Sequence, residues 1–343
     1  MKKKISILDV AREAGVSKST VSRVLNGEAV SEQARAAVQR AIETVDYRPH
    51  AMTSKLHNIK NHVIGIVTVG PDIFGGNNMS QRLAGIGEVL IQAGYSIMLV
   101  TAPPNSTISA LQNGFRFLEE NRIDGLISTS DLDEAADSEK AQKFRKVVYT
   151  GERISPRKGF RVYLGNYNYS RDLYQYLFSN GHRKILTLIG EHASSTMRVR
   201  REEAYRDVCQ LYGENFCENT FFNYSAYAST QKEQLEGILQ TFRDGGYTAV
   251  YADTHELAQD IVSFFETKGL VLAKQYSIVT IYRTLEAVDK CPITGVELSD
   301  YRYGEICANL MLDIISNPAL EYQDVIIPYQ LHVRKSVRNI SGG

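Results

Sequence analysis

Residues 5–27 carry two short helical patterns separated by one tight turn, and this arrangement restricts the fold more than any other feature of the chain. Ser6 and Asp9 have the spacing of a capping box, in which a hydroxyl and a carboxylate satisfy the free amides of a first helical turn. Gly15 supplies the permissive backbone that a tight turn needs, and Val16 is placed to fill the junction between two crossing helices. The pattern therefore predicts a helix-turn-helix.

The second of these helices presents small hydroxyl and basic side chains. Ser17 is a favourable N-cap, and the pattern predicts a helix from Lys18 to Leu25 that Asn26 and Gly27 close. Side chains of these types contact phosphates and the edges of bases in DNA. The candidate DNA-contacting residues of this segment are Ser17, Lys18, Ser19, Thr20, Ser22, Arg23 and Asn26.

The charge of the chain is balanced overall but unevenly distributed. The 343 residues contain 39 Lys and Arg against 39 Asp and Glu. Residues 1–60 contain 11 basic and 6 acidic residues, a net of +5, which leaves −5 for the remainder. A basic N-terminal segment on an acidic body is the charge distribution expected when a nucleic-acid-binding module is attached to a second domain.

A third helix is predicted to begin after Ser31 and to end at Tyr47-Arg48-Pro49. The first 49 residues now resemble the LacI/GalR family of bacterial transcription regulators. The segments that carry the resemblance are Asp9 to Ala11, Ala14 to Ser17, Thr20 to Asn26, and Tyr47-x-Pro49. The match is dense over this headpiece and continues more loosely to the C-terminus.

The resemblance implies how the headpiece would contact DNA. Lys18, Ser19 and Arg23 would read bases, and the neighbouring hydroxyl and amide side chains would hold phosphates. Residues 50–61 would form a hinge helix that folds only on the operator, with Leu56 as an apolar wedge in the minor groove. Taken alone, Leu56 is equally compatible with an ordinary core leucine. The resemblance thus adds Tyr47, Lys55 and Leu56 to the candidate DNA contacts.

From residue 62 onward, apolar strand-like runs alternate with helical patterns. The predicted strands are 63–69, 96–100, 123–128, 146–149, 181–190, 248–251 and 276–281. Continuous apolar runs of this length are typical of parallel strands that are buried on both faces. We therefore predict an N-terminal all-α helix-turn-helix headpiece followed by an α/β core of two doubly wound parallel-sheet lobes.

The family resemblance adds a periplasmic-binding-protein-like clamp with a small-molecule effector between the two lobes. It implies three crossings between the lobes, near residues 162, 291 and 325. The predicted domains are a headpiece (1–49), a hinge helix and linker (50–61), and a core (62–343). Within the core, the predicted N-lobe is 62–162 with 292–324, and the predicted C-lobe is 163–291 with 325–340.

The resemblance also points to an arginine-rich effector site. Arg201 begins a segment that matches the family's Arg-x-x-Gly-aromatic motif, whose arginine grips the ligand, and Arg198 and Arg200 stand beside it. Arginines without acidic partners favour an anionic effector, such as a phosphorylated sugar or an organic acid, over a neutral saccharide. The alternative is that Arg198 and Arg200 pair with Glu202 or Glu203 on a solvated helix face.

The acidic groups of this site depart from the family pattern. Tyr282 stands where sugar-binding members carry an aspartate, and the usual Asn-Asp is replaced by Thr254-His255, unless Asp253 takes that role after a local shift. His255 would be a ligand contact or a partly buried histidine. Aromatic residues in predicted loops near strand ends would stack on a ring. The candidate effector-contacting residues are Phe74, Arg198, Arg201, Phe222, Asp253, His255 and Tyr282.

The sequence contains no enzymatic signature. We find no nucleophile elbow, no Walker loop and no metal-ligand cluster, so we expect neither catalysis nor a cofactor or metal. Residues 84–87 are half of a dinucleotide fingerprint, but they lie inside a predicted helix. The four cysteines lack CxxC or zinc spacing, which indicates buried free thiols. No apolar leader or membrane-length run is visible, which predicts a cytoplasmic protein without a membrane partner.

These observations together predict a sequence-specific DNA-binding repressor of a carbohydrate uptake or utilisation operon. A small-molecule effector would release it from palindromic double-stranded operator DNA. The C-terminal residues lack a leucine heptad, so we expect a homodimer and not a tethered tetramer. Two alternatives stay open. The chain would be a cytoplasmic small-molecule-binding protein, or a corepressor-dependent regulator of a nucleotide or organic-acid pathway.

Overall fold

A computed structural model describes residues 6–25, 29–45, 61–69, 77–102, 107–128, 143–152, 159–190, 195–216, 220–224 and 231–341. The chain divides into two compact units. One comprises Met1–Val63 with Arg116–Asp124, and the other comprises Ile64–Phe115 with Gly125–Gly343.

Three short helices form the headpiece. They are α1 (Ile7–Ala14), α2 (Lys18–Leu25) and α3 (Glu32–Thr44). The carboxylate of Asp9 accepts from the amide and the hydroxyl of Ser6 at 2.8 and 2.7 Å, and Gly15 ends α1 with a φ of 64°. The apolar core contains Val10, Ala11, Val21, Val38 and Ala41, with Val16 packed against it. The predicted helix-turn-helix and its third helix are confirmed.

The N-lobe consists of one six-stranded sheet and its covering helices. Its strands are β1 (Val63–Val69), β2 (Ser96–Ala102), β3 (Gly125–Ser128), β4 (Val147–Thr150), β5 (Phe160–Tyr163) and β11 (Asp324–Ile326). Its helices are α4 (Asn77–Gln92), α5 (Thr107–Glu119) and α11 (Asp300–Ser316). The strand order is β11-β5-β4-β3-β1-β2, with parallel pairing from β11 through to β1.

The C-lobe contains a second sheet of the same size. Its strands are β6 (Ile185–Gly190), β7 (Phe221–Tyr224), β8 (Ala249–Ala252), β9 (Ser277–Tyr282), β10 (Thr294–Glu297) and β12 (Gln330–His332). Its helices are α6 (Asn166–Ser179), α7 (Ser195–Leu211), α8 (Gln231–Asp244), α9 (His255–Thr267) and α10 (Leu285–Lys290). The strand order is β12-β10-β9-β8-β6-β7, and all pairs are parallel except the edge pair β10–β12. The predicted pair of α/β lobes is confirmed.

The strand order shows where the chain crosses between the lobes, and one of the three crossings lies several residues from its predicted position. The first crossing follows β5, close to the predicted residue 162. The second was expected near 291, but Thr294–Glu297 pairs with β9 in the C-lobe sheet, so the crossing lies after Glu297. The third was expected near 325, and since Asp324–Ile326 pairs with β5, this crossing follows Ile326, close to the predicted residue. At the second crossing, β10 pairs with both β9 and β12 of the C-lobe, and sequence position alone does not show which sheet a strand joins.

Two glycines allow α4 and α11 of the N-lobe to approach closely. A Cβ atom at Gly85 would lie 2.0 Å from the carbonyl oxygen of Tyr301, and one at Gly304 would lie 2.0 Å from that of Arg82. Each glycine thus receives the backbone of the opposite helix. Gly85, which is part of the partial dinucleotide fingerprint at residues 84–87, therefore serves the packing of two helices.

The C-terminal segment is held against the C-lobe by His182. Nε2 of this buried ring lies 3.1 Å from the carbonyl oxygen of Arg338, and Nδ1 lies 2.9 Å from the hydroxyl of Thr248. The carbonyl can only accept, so Nε2 carries the proton and the neutral ring satisfies both partners. Burial lowers the pKa of His182 to about 4. Its role is therefore structural.

Three cysteines, Cys209, Cys291 and Cys307, are buried free thiols, as predicted. Cys217 lies outside the described residues. No helix in the described part of the chain is both long and apolar enough to cross a membrane.

Candidate functional site

The predicted DNA-reading helix exposes its base-reading candidates. Lys18, Ser19 and Arg23 are exposed along α2. The Ser17 hydroxyl accepts from the amide of Thr20 at 3.1 Å, so it caps the helix as expected. Its oxygen also lies 2.7 Å from the Ser19 hydroxyl and 2.8 Å from that of Thr20. These three hydroxyls form one cluster at the start of the helix, where backbone amides and the helix dipole favour a phosphate.

Several predicted contacts fall outside the described residues. They are Asn26, Tyr47, Lys55, Leu56 and Phe74, together with most of the predicted hinge helix. Ser22, the remaining candidate on α2, is half-buried.

A buried ion pair joins Arg201 and Asp253 at the carboxyl ends of two neighbouring C-lobe strands. Arg201 Nη1 lies 2.5 Å from Asp253 Oδ1, and the two side chains are 1% and 15% exposed. The other carboxylate oxygen, Oδ2, accepts from the amide of Gly190 at 3.2 Å. Since Gly190 ends β6 and Asp253 follows β8, the pair sits where open α/β sheets bind their ligands.

Two tyrosines line the guanidinium of Arg201. Nη2 donates to the hydroxyl of Tyr169 at 3.0 Å, and the rings of Tyr169 and Tyr251 lie 5.8 and 5.7 Å from the guanidinium carbon. Burial by itself opposes the charge, but attraction to Asp253 and to these phenols exceeds that penalty and raises the pKa of Arg201. The site therefore holds a fixed cation beside a fixed carboxylate.

The positions of Thr254 and Asp253 bear on the alternative that the sequence left open. Thr254 is the N-cap of α9, where its hydroxyl accepts from the amide of Leu257 at 3.2 Å. Asp253 therefore stands directly after β8, where its carboxylate pairs with Arg201. His255 is the first residue of α9, and its Nδ1 lies 3.1 Å from a carboxylate oxygen of Glu256.

Arg198 and Arg200 have carboxylate partners on their own helix, as in the alternative that the sequence left open. Arg198 Nε lies 2.7 Å from Glu202, and Arg200 Nη1 lies 2.8 Å from Glu203. Arg198 also donates to the side chain of Asn223 on β7 at 2.9 Å. The expected excess of unpartnered arginines is therefore absent from this segment of α7.

Two predicted effector contacts, Tyr282 and Phe222, pack against the apolar core of the C-lobe, and of these Tyr282 is fully buried. The Tyr282 ring is fully buried, and its hydroxyl donates to the carbonyl of Ile293 at 2.6 Å. Because successive side chains of β9 alternate between the faces of the sheet, Tyr282 joins the same cluster as Ile278. Phe222 is partly buried against that cluster, while its neighbour Phe221 belongs to the cluster on the opposite face.

Two N-lobe carboxylates that the sequence did not single out contact the C-lobe. Asp300 accepts from Arg283 at 2.7 and 2.8 Å. Glu152, after β4, accepts from the amide and the side chain of Asn166 at 2.8 and 3.0 Å. Arg283 directly follows a buried strand, and a charged residue at that position was the only local signal for this contact.

Comparison with known proteins agrees with this architecture. The family model described as "Bacterial regulatory proteins, lacI family" matches residues 6–50, and the model for a periplasmic binding protein-like domain matches residues 174–337. Catabolite control protein A of Streptococcus mutans is 26% identical over 340 residues, covering 97% of this chain and 98% of that protein. The transcriptional repressor PurR of Histophilus somni is 25% identical over 354 residues, covering 98% and 99%.

Solved structures share the fold along nearly the whole chain. A lac repressor dimer bound to operator and an anti-inducer superposes with a TM-score of 0.71 at 20% identity, covering 98% of this chain and 100% of that one. A complex of the regulator CelR with cellobiose gives a TM-score of 0.65 at 23% identity, covering 97% and 99%. The headpiece, the two parallel-sheet lobes and the two family matches lead to one conclusion. The chain belongs to the LacI family of DNA-binding bacterial transcription regulators.

Proposed function

We propose that this regulator represses a carbohydrate uptake or utilisation operon and that a saccharide bound at the Arg201–Asp253 pair changes its affinity for the operator. The observation that carries the proposal is this buried ion pair at the carboxyl ends of β6 and β8. The proposed architecture keeps the predicted division into headpiece (1–49), hinge segment (50–61) and effector-binding core (62–343).

The pairing of the arginines favours a neutral effector. The preference for an anion rested on arginines without acidic partners, whereas Arg198, Arg200 and Arg201 each contact a carboxylate. An arginine beside an aspartate offers donors and acceptors at adjacent positions, which suits vicinal hydroxyls that both donate and accept. The cellobiose complex of a similar fold supports the same class of effector.

A thermal-shift panel tests the effector class directly. Wild-type protein is mixed with cellobiose, glucose and ribose, and separately with the corresponding sugar phosphates. A ligand at one hundred times its Kd stabilises the folded state by about 2.7 kcal/mol, which is readily measured. We expect stabilisation by a neutral sugar, and its loss in Asp253→Asn but not in Arg198→Ala. Stabilisation by the phosphates alone would contradict the neutral-saccharide proposal.

We further propose that a homodimer reads a palindromic operator, because one helix-turn-helix contacts only a few base pairs. Two large apolar side chains of the N-lobe support self-association. Ile91 on α4 is 70% exposed, and Leu99 on the edge strand β2 is 41% exposed. Edge strands and apolar patches of this kind are commonly covered by a partner.

Selection from a random duplex library tests the mode of DNA binding. The full chain is expected to enrich sequences with two inverted half-sites. Its mass by analytical ultracentrifugation is expected to be that of a dimer. Ile91→Glu should shift the protein towards monomer and lower the affinity for the palindrome more than for a single half-site. Enrichment of single, non-repeated sites would refute the dimeric reading of the operator.

A further inference from the structure

The second crossing between the lobes is held on both sides by two consecutive C-lobe residues. The carbonyl oxygen of Tyr282 accepts from the amide of Leu298 at 2.8 Å, which continues the sheet pairing of β10 by one residue. The side chain of the next residue, Arg283, bonds Asp300 through two nitrogens. Only Ser299 lies between the two held positions. It is the N-cap of α11, and its hydroxyl accepts from the amide of Arg302 at 3.2 Å.

Asp300 has a second arginine partner, which belongs to its own lobe. Arg82 of α4 donates from Nη2 to Asp300 Oδ1 at 2.8 Å. The guanidinium of Arg82 lies 4.1 Å from the centre of the Tyr303 ring, so it is fixed from a second side. The close packing of α4 on α11 through Gly85 and Gly304 keeps this pair together within the N-lobe.

All three side chains are largely buried, and the two arginines differ in the lobe to which each belongs. Asp300 is 0% exposed, Arg82 is 12% exposed and Arg283 is 19% exposed. A buried carboxylate without a partner is strongly unfavourable. Because Arg82 stays with Asp300 when the lobes separate, the bond to Arg283 can break without leaving Asp300 unpartnered.

We propose that Arg283 is a positioning residue that sets the equilibrium between closed and open lobes, and that its bond to Asp300 is a reversible brace at the second crossing. Arg82 makes the brace reversible by remaining on the carboxylate. The first crossing has a corresponding tie, in which Glu152 of the N-lobe accepts from the amide of Asn166 in the C-lobe. Regulation of operator binding through this brace rests on the proposed function, but the brace itself does not.

Distances between spin labels test the brace without DNA or effector. Labels are attached in the full chain at Asn309→Cys of the N-lobe and Glu236→Cys of the C-lobe, both exposed positions, with Cys217→Ser to remove the cysteine outside the described residues. In this background, Arg283→Met removes the bond from the C-lobe to Asp300 and leaves Arg82 bonded to that carboxylate within the N-lobe. Arg82→Met is the matched control, since it removes an arginine from the same carboxylate within one lobe.

We expect Arg283→Met to broaden the distance distribution and add a longer component, while Arg82→Met keeps the narrow distribution of the parent. Arg283→Lys retains the charge but not the bidentate bond to Asp300, so its distance distribution should be intermediate in width between those of the other two variants. It replaces Arg283→Met in the experiment if that variant folds poorly. An unchanged distribution in both Arg283 variants would overturn the proposal. Equal broadening in Arg82→Met would also overturn it, because the effect would then come from disturbing Asp300 and not from releasing the lobes.

The experiments distinguish an incorrect brace proposal from an incorrect assignment of the effector. If the label distances change as expected but no sugar stabilises the protein, the brace proposal is supported and the saccharide assignment is refuted. If a sugar stabilises the protein but Arg283→Met leaves the label distances unchanged, the saccharide assignment is supported and the brace proposal is refuted.

Discussion

The Arg201–Asp253 pair should respond asymmetrically to the loss of either partner. Asp253→Asn leaves the charge of Arg201 in a position that is 1% exposed, with the Tyr169 hydroxyl as its remaining hydrogen-bond partner. Arg201→Met leaves the Asp253 carboxylate 15% exposed and still bonded to the amide of Gly190. Breaking a buried pair typically costs about 3–5 kcal/mol, because an uncompensated charge stays buried. We therefore expect about 4–5 kcal/mol for Asp253→Asn and about 2–3 kcal/mol for Arg201→Met, where water reaches the remaining charge.

The double variant Asp253→Asn/Arg201→Met separates the free-energy cost of a buried unpaired charge from the net contribution of the ion pair to stability. With both charges removed, the loss should be smaller than the sum of the single losses by about 2–3 kcal/mol, within the range of coupling for residues in contact. The chain has no tryptophan, so urea unfolding is followed by far-ultraviolet circular dichroism. Equal losses in the two single variants, or full additivity in the double variant, would refute the assignment of the pair as a buried, mutually compensating unit.

Three other predictions follow from the described geometry. Burial lowers the pKa of His182 from 6.5 to about 4. Between pH 6.5 and pH 4 the unfolded chain therefore binds a proton at this histidine and the folded chain does not. The free energy of unfolding should fall by up to about 3 kcal/mol as the pH drops through this range. Urea titrations at several pH values should show this slope in the wild type and a shallower one in His182→Asn; parallel curves would contradict it. Gly304→Ala places a Cβ 2.0 Å from a backbone oxygen and should cost at least about 1–3 kcal/mol by overpacking, visible as a lower Tm. Gly87→Ala is the matched control, because its Cβ would meet nothing nearer than 3.9 Å and should raise the Tm slightly. Arg23→Ala should weaken binding to the selected operator by about 1–3 kcal/mol and relax preference at one base pair in a gel-shift titration. Arg12→Ala, whose side chain is 79% exposed on α1, should leave that preference intact, and identical loss of preference in both would argue against base reading by Arg23.

The sequence determined the headpiece because its signals act over short distances. Ser6 and Asp9 are three residues apart, Gly15 adopts the left-handed conformation that the turn requires, and Ser31 caps α3 through the amide of Ala34. Each contact is decided by neighbours along the chain, so its residues could be identified in advance. The strands with long apolar runs were predictable for a related reason, since a run such as Val63–Val69 has few ways to avoid water other than burial in a sheet. Short strands such as Phe160–Tyr163 and Asp324–Ile326 lack that signal and were not predicted.

Tertiary structure decided which groups meet at the candidate effector site. Asp253 and Arg283 directly follow strands, and their partners Arg201 and Asp300 lie on helices that only the tertiary fold brings to those strand ends. Tyr282 lies in the core because both faces of the C-lobe sheet are covered and every side chain of β9 is buried, and the sequence did not show that the last residue of this strand is buried as well. The β10 strand belongs to the C-lobe because it pairs with β9 and β12, and the sequence does not show these strand partners. Local hydrogen bonds and apolar runs are fixed by chain neighbours, whereas strand partners and buried charge pairs depend on residues distant in sequence.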